Sequence, residues 1–174
     1  MPRFIFFKGL YSTLDLYTDE MLRICRERGY DSFVLHTTQG EDASCMHISE
    51  EQEKEERKEL LRFLKEPVTA AVGIGNMGLR YEMDGIGNIW DAFAVPYIDV
   101  MMDHPFHFSG IFRYAAKQTA LLCPDRNHVN YIRRFFPEIA CADFLPHAGI
   151  ELPGEKKPIR ERGIEVLYAG GLSR

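Results

Sequence analysis

The sequence holds no Cys-x-x-Cys pair. Its four cysteines, Cys25, Cys45, Cys123 and Cys141, are scattered without metal-ligand spacing. That excludes the usual cysteine zinc sites and the dithiol redox motif. Three of them lie in or beside apolar segments and Cys45 lies in a polar loop. The reading is reduced thiols, mostly core filler, in a cytoplasmic protein. A basic excess is missing too. With a net charge of -5 and a pI near 5.7, the chain has no overall basic face to hold nucleic acid. Nor does it give reason to expect a polybasic membrane patch. No apolar run is long enough to span a bilayer. The N-terminal MPRFIFFKGL is basic and then apolar over only four residues. No small-residue cleavage site follows, so it does not read as a secretory signal. There is no Gly-x-Ser-x-Gly elbow, no Walker A loop and no His-Glu-x-x-His, and no internal repeat is evident.

What is present is an alternation of apolar runs and amphipathic stretches. The 174 residues are 45% hydrophobic and 27% charged, which suits one domain, or one domain plus a fragment of another. Arg3 to Phe7 reads as a buried strand that ends at Lys8-Gly9. Leu14, Tyr17, Met21, Leu22 and Cys25 recur every three or four residues, predicting a helix over 11–28 with Ser12 as N-cap and Gly29 as its stop. Asp31 to Thr37 is a second strand. This strand–helix–strand unit predicts parallel pairing and a right-handed crossover. Ser49 and Gln52 have capping-box spacing for a strongly charged helix over 49–66. That helix reads as solvated along most of its length, with apolar surface only at Leu60, Leu61, Phe63 and Leu64. Further strands are predicted at 68–74, 97–102, 119–123 and 139–145, with a helix from Asp125 to Phe136. The fold class is therefore α/β: a Rossmann-like three-layer sandwich around a mostly parallel sheet of about six strands. It fills a domain of residues 1–150. Residues 151–163 hold two prolines, two glycines and seven charges, a linker composition. Residues 164–174 add one more strand and a glycine turn, read as the first strand of a second domain whose body is missing.

In such sheets ligands bind at the carboxyl ends of the strands. Asp103-His104-Pro105-Phe106-His107 is the richest polar cluster at such an end. An acid beside a histidine can supply a base and its orienting partner. His107 is a candidate substrate contact. A metal held by Asp103, His104 and His107 lacks any further ligand in the sequence, so no metal is assigned. His147 ends the sixth strand on the same edge, and His36 ends the second with a weaker case. His47 and His128 read as surface groups. Gly73 to Gly78, GIGNMG, matches the dinucleotide fingerprint in letters only. It follows the third strand and precedes a poor helix, so it reads as a tight turn. Asn76 within it is placed to bond a sugar hydroxyl. Gly9 permits a close approach after the first strand, where the next helix would point its amino end at an anionic or polar ligand.

The stretches PYIDVMMDHP and TALLCPDRNHVNYIRRFFP, followed by the linker and VLYAGGLSR, resemble the GT-B glycosyltransferases. Within that superfamily they resemble the spore-maturation (spore-coat) protein group. The resemblance covers essentially the whole chain. It implies metal-independent transfer of a sugar from a nucleotide-sugar donor to an acceptor, with no cofactor. In that fold the N-terminal domain mostly holds the acceptor and, in inverting members, supplies a base. The C-terminal domain mostly holds the nucleotide. Carried over, Gly9 matches the turn after the first strand. Asp103 and His104 match the polar end of the fourth, as catalytic residues. Arg174 lies where the second domain would approach the donor phosphates. The partner implied is the missing C-terminal domain in cis, and without it the chain is expected to be inactive. The alternative is a stand-alone α/β ligand-binding or regulatory domain. A flavodoxin- or NAD-type cofactor domain is a third reading.

Overall fold

A computed structural model describes residues 1–36, 49–149, 157–161 and 163. The linker residues 151–156, the strand expected at 164–174, Arg174, His47 and Cys45 all lie outside the described residues. In chain order the elements are β1 (Arg3–Lys8), α1 (Ser12–Arg28), β2 (Asp31–His36), α2 (Glu50–Phe63), β3 (Ala70–Ile74), β4 (Glu82–Met83) and β5 (Gly87–Asn88). Then come α3 (Ile89–Ala92), β6 (Tyr97–Val100), a 3-10 turn (Pro105–Phe108), α4 (Ser109–Phe112), β7 (Thr119–Cys123), α5 (Arg126–Phe135) and β8 (Cys141–Phe144). Six strands form one sheet in the order β2-β1-β3-β6-β7-β8, and every pairing in it is parallel. β4 and β5 make a separate antiparallel hairpin.

The α/β sheet is as expected, but β3, β6 and β8 are shorter at their ends than the apolar runs, while β1 runs on to Lys8 and β7 spans the expected residues. Beyond β6 the chain makes a 3-10 turn followed by one α turn. Ser12 does not cap α1. Tyr11 holds the cap position and makes no side-chain bond there. The carboxylate of Asp15 reaches the Gly9 amide instead, at 3.0 Å. Gly29 ends α1 in the left-handed conformation with φ 69°. Ser49 and Gln52 do form the reciprocal capping box at the start of α2.

The core lies mainly on the face of the sheet that α2 and α3 cover. Ile5, Phe7, Leu35, Ala71, Tyr97, Leu121 and Ala142 are buried there, together with Trp90 and Leu60. The strand period of two puts these positions on one side. Trp90 stacks on Tyr97 with ring centroids 6.2 Å apart and meets Phe7 edge-on at 5.9 Å. Its indole N–H donates to the Gly78 carbonyl at 2.7 Å, so the polar end of a fully buried ring is satisfied. Arg3 ties α2 to the sheet. It bonds Asp31 at 3.1 Å and the Phe63 and Glu66 carbonyls at 3.0 Å, and its guanidinium lies over the Phe63 ring. α1 packs on the opposite face, with Thr18 donating to the Phe7 carbonyl. Cys25 and Cys123 are buried as expected, but Cys141 is exposed. No helix among the described residues is long and apolar enough to cross a membrane.

Candidate functional site

The chain leaves β1 in one direction to reach β2, then returns past β1 to lay down β3 on its other side. Strand order therefore reverses between β1 and β3, and a crevice opens at their carboxyl ends. On the β1 side stand Lys8 and Gly9. Gly9 has φ 101°, a conformation open to glycine. Its amide is already bonded to Asp15, and Lys8 is paired with Asp19. The start of α1 thus carries a carboxylate of its own. It is not the open anion site that the sequence suggested.

The β3 side is the GIGNMG turn. Gly75 and Asn76 both adopt left-handed backbone, with φ 62° and 68°. A non-glycine residue in that region stores strain unless its surroundings hold it. Here the holder is Asp99, on β6. Its Oδ1 accepts from the Asn76 amide at 2.8 Å. The Tyr97 hydroxyl donates to the Met77 carbonyl at 2.7 Å and lies 3.3 Å from the same carboxylate oxygen. Asp99 is fully buried, and its Oδ2 has no hydrogen-bond partner. Burial raises its pKa from 3.8 to about 7, against the opposing pull of the bonds from Asn76 and Tyr97. Burial also pushes Tyr97 well above its ordinary value, with the neighbouring Asp99 adding to the shift. The glycines of this turn serve packing. A Cβ on Gly73 would fall 2.1 Å from the Tyr97 hydroxyl, and one on Gly78 would fall 2.2 Å from the Phe7 ring.

Between this turn, α2 and the β4–β5 hairpin lies a polar cavity of about 280 Å³. His36, Glu53, Glu56, Arg57, Asn76, Arg80, Tyr81, Glu82 and Ile111 contribute to its lining. His36, at the end of β2, places Nδ1 2.7 Å from Glu56 Oε1, and its backbone amide donates to the other oxygen of that carboxylate. Arg57 bonds Glu53 at 2.6 Å. Arg80 bonds Glu82 at 3.0 Å and lies over the Tyr114 ring. Both side-chain atoms of the Asn76 amide, and Arg57 Nε, are buried without a hydrogen-bond partner. Burial raises the Tyr81 pKa, and it outweighs the lowering by Arg57. The charged helix α2 is therefore not simply solvated. Glu53, Glu56 and Arg57 share the half-buried face with the buried Leu60, and that face turns toward the crevice.

Of the residues singled out from sequence, Asn76 and His36 line this cavity. Asp103, His104 and His107 are exposed just beyond β6. No hydrogen bond joins Asp103 to His104. The His104 Nδ1 accepts from the Phe106 amide at 3.1 Å and so caps the turn. His147 is exposed and its Nε2 lies 3.1 Å from the Met101 carbonyl, a geometry in which it donates. His128 is not a plain surface group. It is half-buried, and its ring lies 4.5 Å from that of His104. Burial lowers its pKa, and the nearby His104 and His147 lower it further while Asp125 opposes them. Among the described residues no group of three His, Cys, Asp or Glu is placed to hold a metal ion.

Two of the site's main features went unread in the sequence. Asp99 was legible in principle. It sits between Tyr97 and Met101 at period two, an acid on the buried side of a strand. The Glu53–Glu56–Arg57 face was not, because a charged helix looks alike whether its charges meet water or a cavity. The chain matches no family model, no curated protein and no solved structure.

Proposed function

We propose that this chain is the acceptor-side domain of a glycosyltransferase that moves a sugar from a nucleotide-sugar donor to an acceptor hydroxyl. One observation carries the reading: a histidine held by a carboxylate lines a polar cavity at the point where strand order reverses. With Nδ1–H directed at Glu56 Oε1, His36 presents the lone pair of Nε2, the tautomer a general base needs. The acceptor O–H gives its proton to Nε2 as its oxygen bonds the anomeric carbon, and the bond from that carbon to the nucleotide diphosphate breaks. The donor belongs to a second domain, with Arg174 as its first phosphate contact. Asp103 and His104, just beyond the end of β6, are the rival base, and Gly9, His107 and His147 are rim residues along the same carboxyl edge of the sheet.

The test is a transfer assay with nucleotide sugars on a protein in which this domain is joined in cis to its donor-binding partner. His36→Ala is expected to cut transfer about 10²–10⁴-fold, the usual loss of a general base. An Asp103→Ala/His104→Ala double variant is expected to retain most of it. The reverse result moves the base to the β6 edge. Transfer unchanged in both variants would overturn the proposal that this domain supplies the base.

A further inference from the structure

The cavity's own polar groups select what it can hold. Two arginines and three glutamates line it, so the lining carries a net charge of about −1 with His36 neutral and about zero with it protonated. Each cation already has a carboxylate partner: Arg57 with Glu53, Arg80 with Glu82, His36 with Glu56. A phosphate or carboxylate entering here would find no unpaired cation and would face three carboxylates. The unmet groups point elsewhere. Asn76 Nδ2 and Arg57 Nε are buried donors without acceptors, and Asn76 Oδ1 is a buried acceptor without a donor. An anion satisfies the donors and leaves Oδ1 bare. An amine satisfies Oδ1 and leaves the donors bare. A pair of adjacent hydroxyls satisfies all three, because each hydroxyl both donates and accepts. A nucleobase wants a flat apolar slot. Ile111 is the aliphatic side chain in this lining, and the Tyr81 ring is engaged with Trp90 at 5.7 Å. The volume, about 280 Å³, sits at the lower end of ligand pockets, the size of one ring rather than a nucleotide.

We infer that this cavity binds a single neutral sugar ring through adjacent hydroxyls, held by the Asn76 amide and Arg57 Nε. The inference rests on the acceptor-side reading for its place in the reaction, but it is tested by binding alone. The protein is titrated separately with neutral hexoses (glucose, galactose, mannose), inorganic phosphate and adenosine, and its thermal unfolding is followed. At about five times its dissociation constant a bound hexose should raise Tm by roughly 2–4 °C. Phosphate and adenosine should leave Tm where it is. Asn76→Gly keeps the left-handed backbone and removes the amide, and should weaken hexose binding at least about tenfold. In parallel, the Asn76 side-chain amide resonances of the unaltered protein should move on adding hexose, a readout that needs no variant. A shift with phosphate or adenosine but not hexose would overturn the ligand class. Hexose binding unchanged in Asn76→Gly, with still amide resonances, would overturn the assignment to this cavity. No shift with any hexose overturns the inference outright. Hexose binding without transfer in the assay above would instead sink the glycosyltransferase reading and leave this one standing.

Discussion

Gly78→Ala should unfold the protein or bring it close to unfolding. The new methyl would sit 2.2–2.7 Å from three atoms of the Phe7 ring. Phe7 is fully buried and wedged edge-on against Trp90 and Tyr97, so it has nowhere to move. Overpacking a close-fitting core costs about 1–3 kcal/mol and at times more. The residue also has φ 82°, a region that costs an L side chain about another 1–2 kcal/mol. The expected loss of about 2–5 kcal/mol is a large share of a typical domain's stability. Gly73→Ala should be as severe by a different route. Its methyl would meet the Tyr97 hydroxyl at 2.1 Å and the Met77 carbonyl at 2.2 Å. It would thereby break the buried bond between them. Gly85 supplies the control. It has φ 76° but nothing within 4 Å of its added methyl, so Gly85→Ala should lose only about 1–2 kcal/mol. Urea unfolding of the three variants checks this. Equal midpoints for Gly78→Ala and Gly85→Ala would show that the Phe7 contact does not constrain the turn.

The pattern of apolar runs carried the sheet, and the reason is physical. A parallel strand buried on both sides must be nearly continuous in apolar residues. RFIFF, VTAAVGI and TALLC each announce themselves. The capping box at Ser49 was equally plain because it is a local arrangement with a fixed spacing. GIGNMG was legible as a turn. What its spacing does not reveal is which glycines touch which rings, since Phe7 and Tyr97 come to Gly78 and Gly73 only through the sheet pairing. The candidate site was harder for the same reason. His36, Glu56, Arg57 and Asn76 come from three separate elements, and no local motif brings them together. The Asp103–His104 pair drew attention because the two are adjacent in sequence. Adjacent residues on an extended segment do not face each other, and these two make no mutual bond.

Asp99→Asn should stabilise the protein at pH 8 and flatten its response to acid. The buried carboxyl titrates at about 7 rather than 3.8, because burial penalises its charged form. Between these values the folded chain keeps a proton that the unfolded chain has lost. Stability therefore falls as pH rises from about 4 to about 7, and it is level on either side of that window. For this one group the fall is on the order of 4 kcal/mol. Asparagine resembles the protonated acid. Its oxygen can accept from the Asn76 amide as Asp99 does, and it has no charge to desolvate. Urea unfolding from pH 4 to pH 8 should show the two proteins nearly equal at pH 4 and the variant ahead at pH 8. Asp99→Ala separates charge from geometry. It too removes the titration, but it also frees the Asn76 amide and leaves a buried donor unpaired, at a cost of about 1–3 kcal/mol. Parallel pH profiles for the native protein and Asp99→Asn would mean that Asp99 is ionised at low cost in the fold. Its unpartnered Oδ2 would then need another account. If the profiles diverge as expected, the residue that holds Asn76 in its left-handed turn is also the one whose protonation sets how firmly the cavity wall is held.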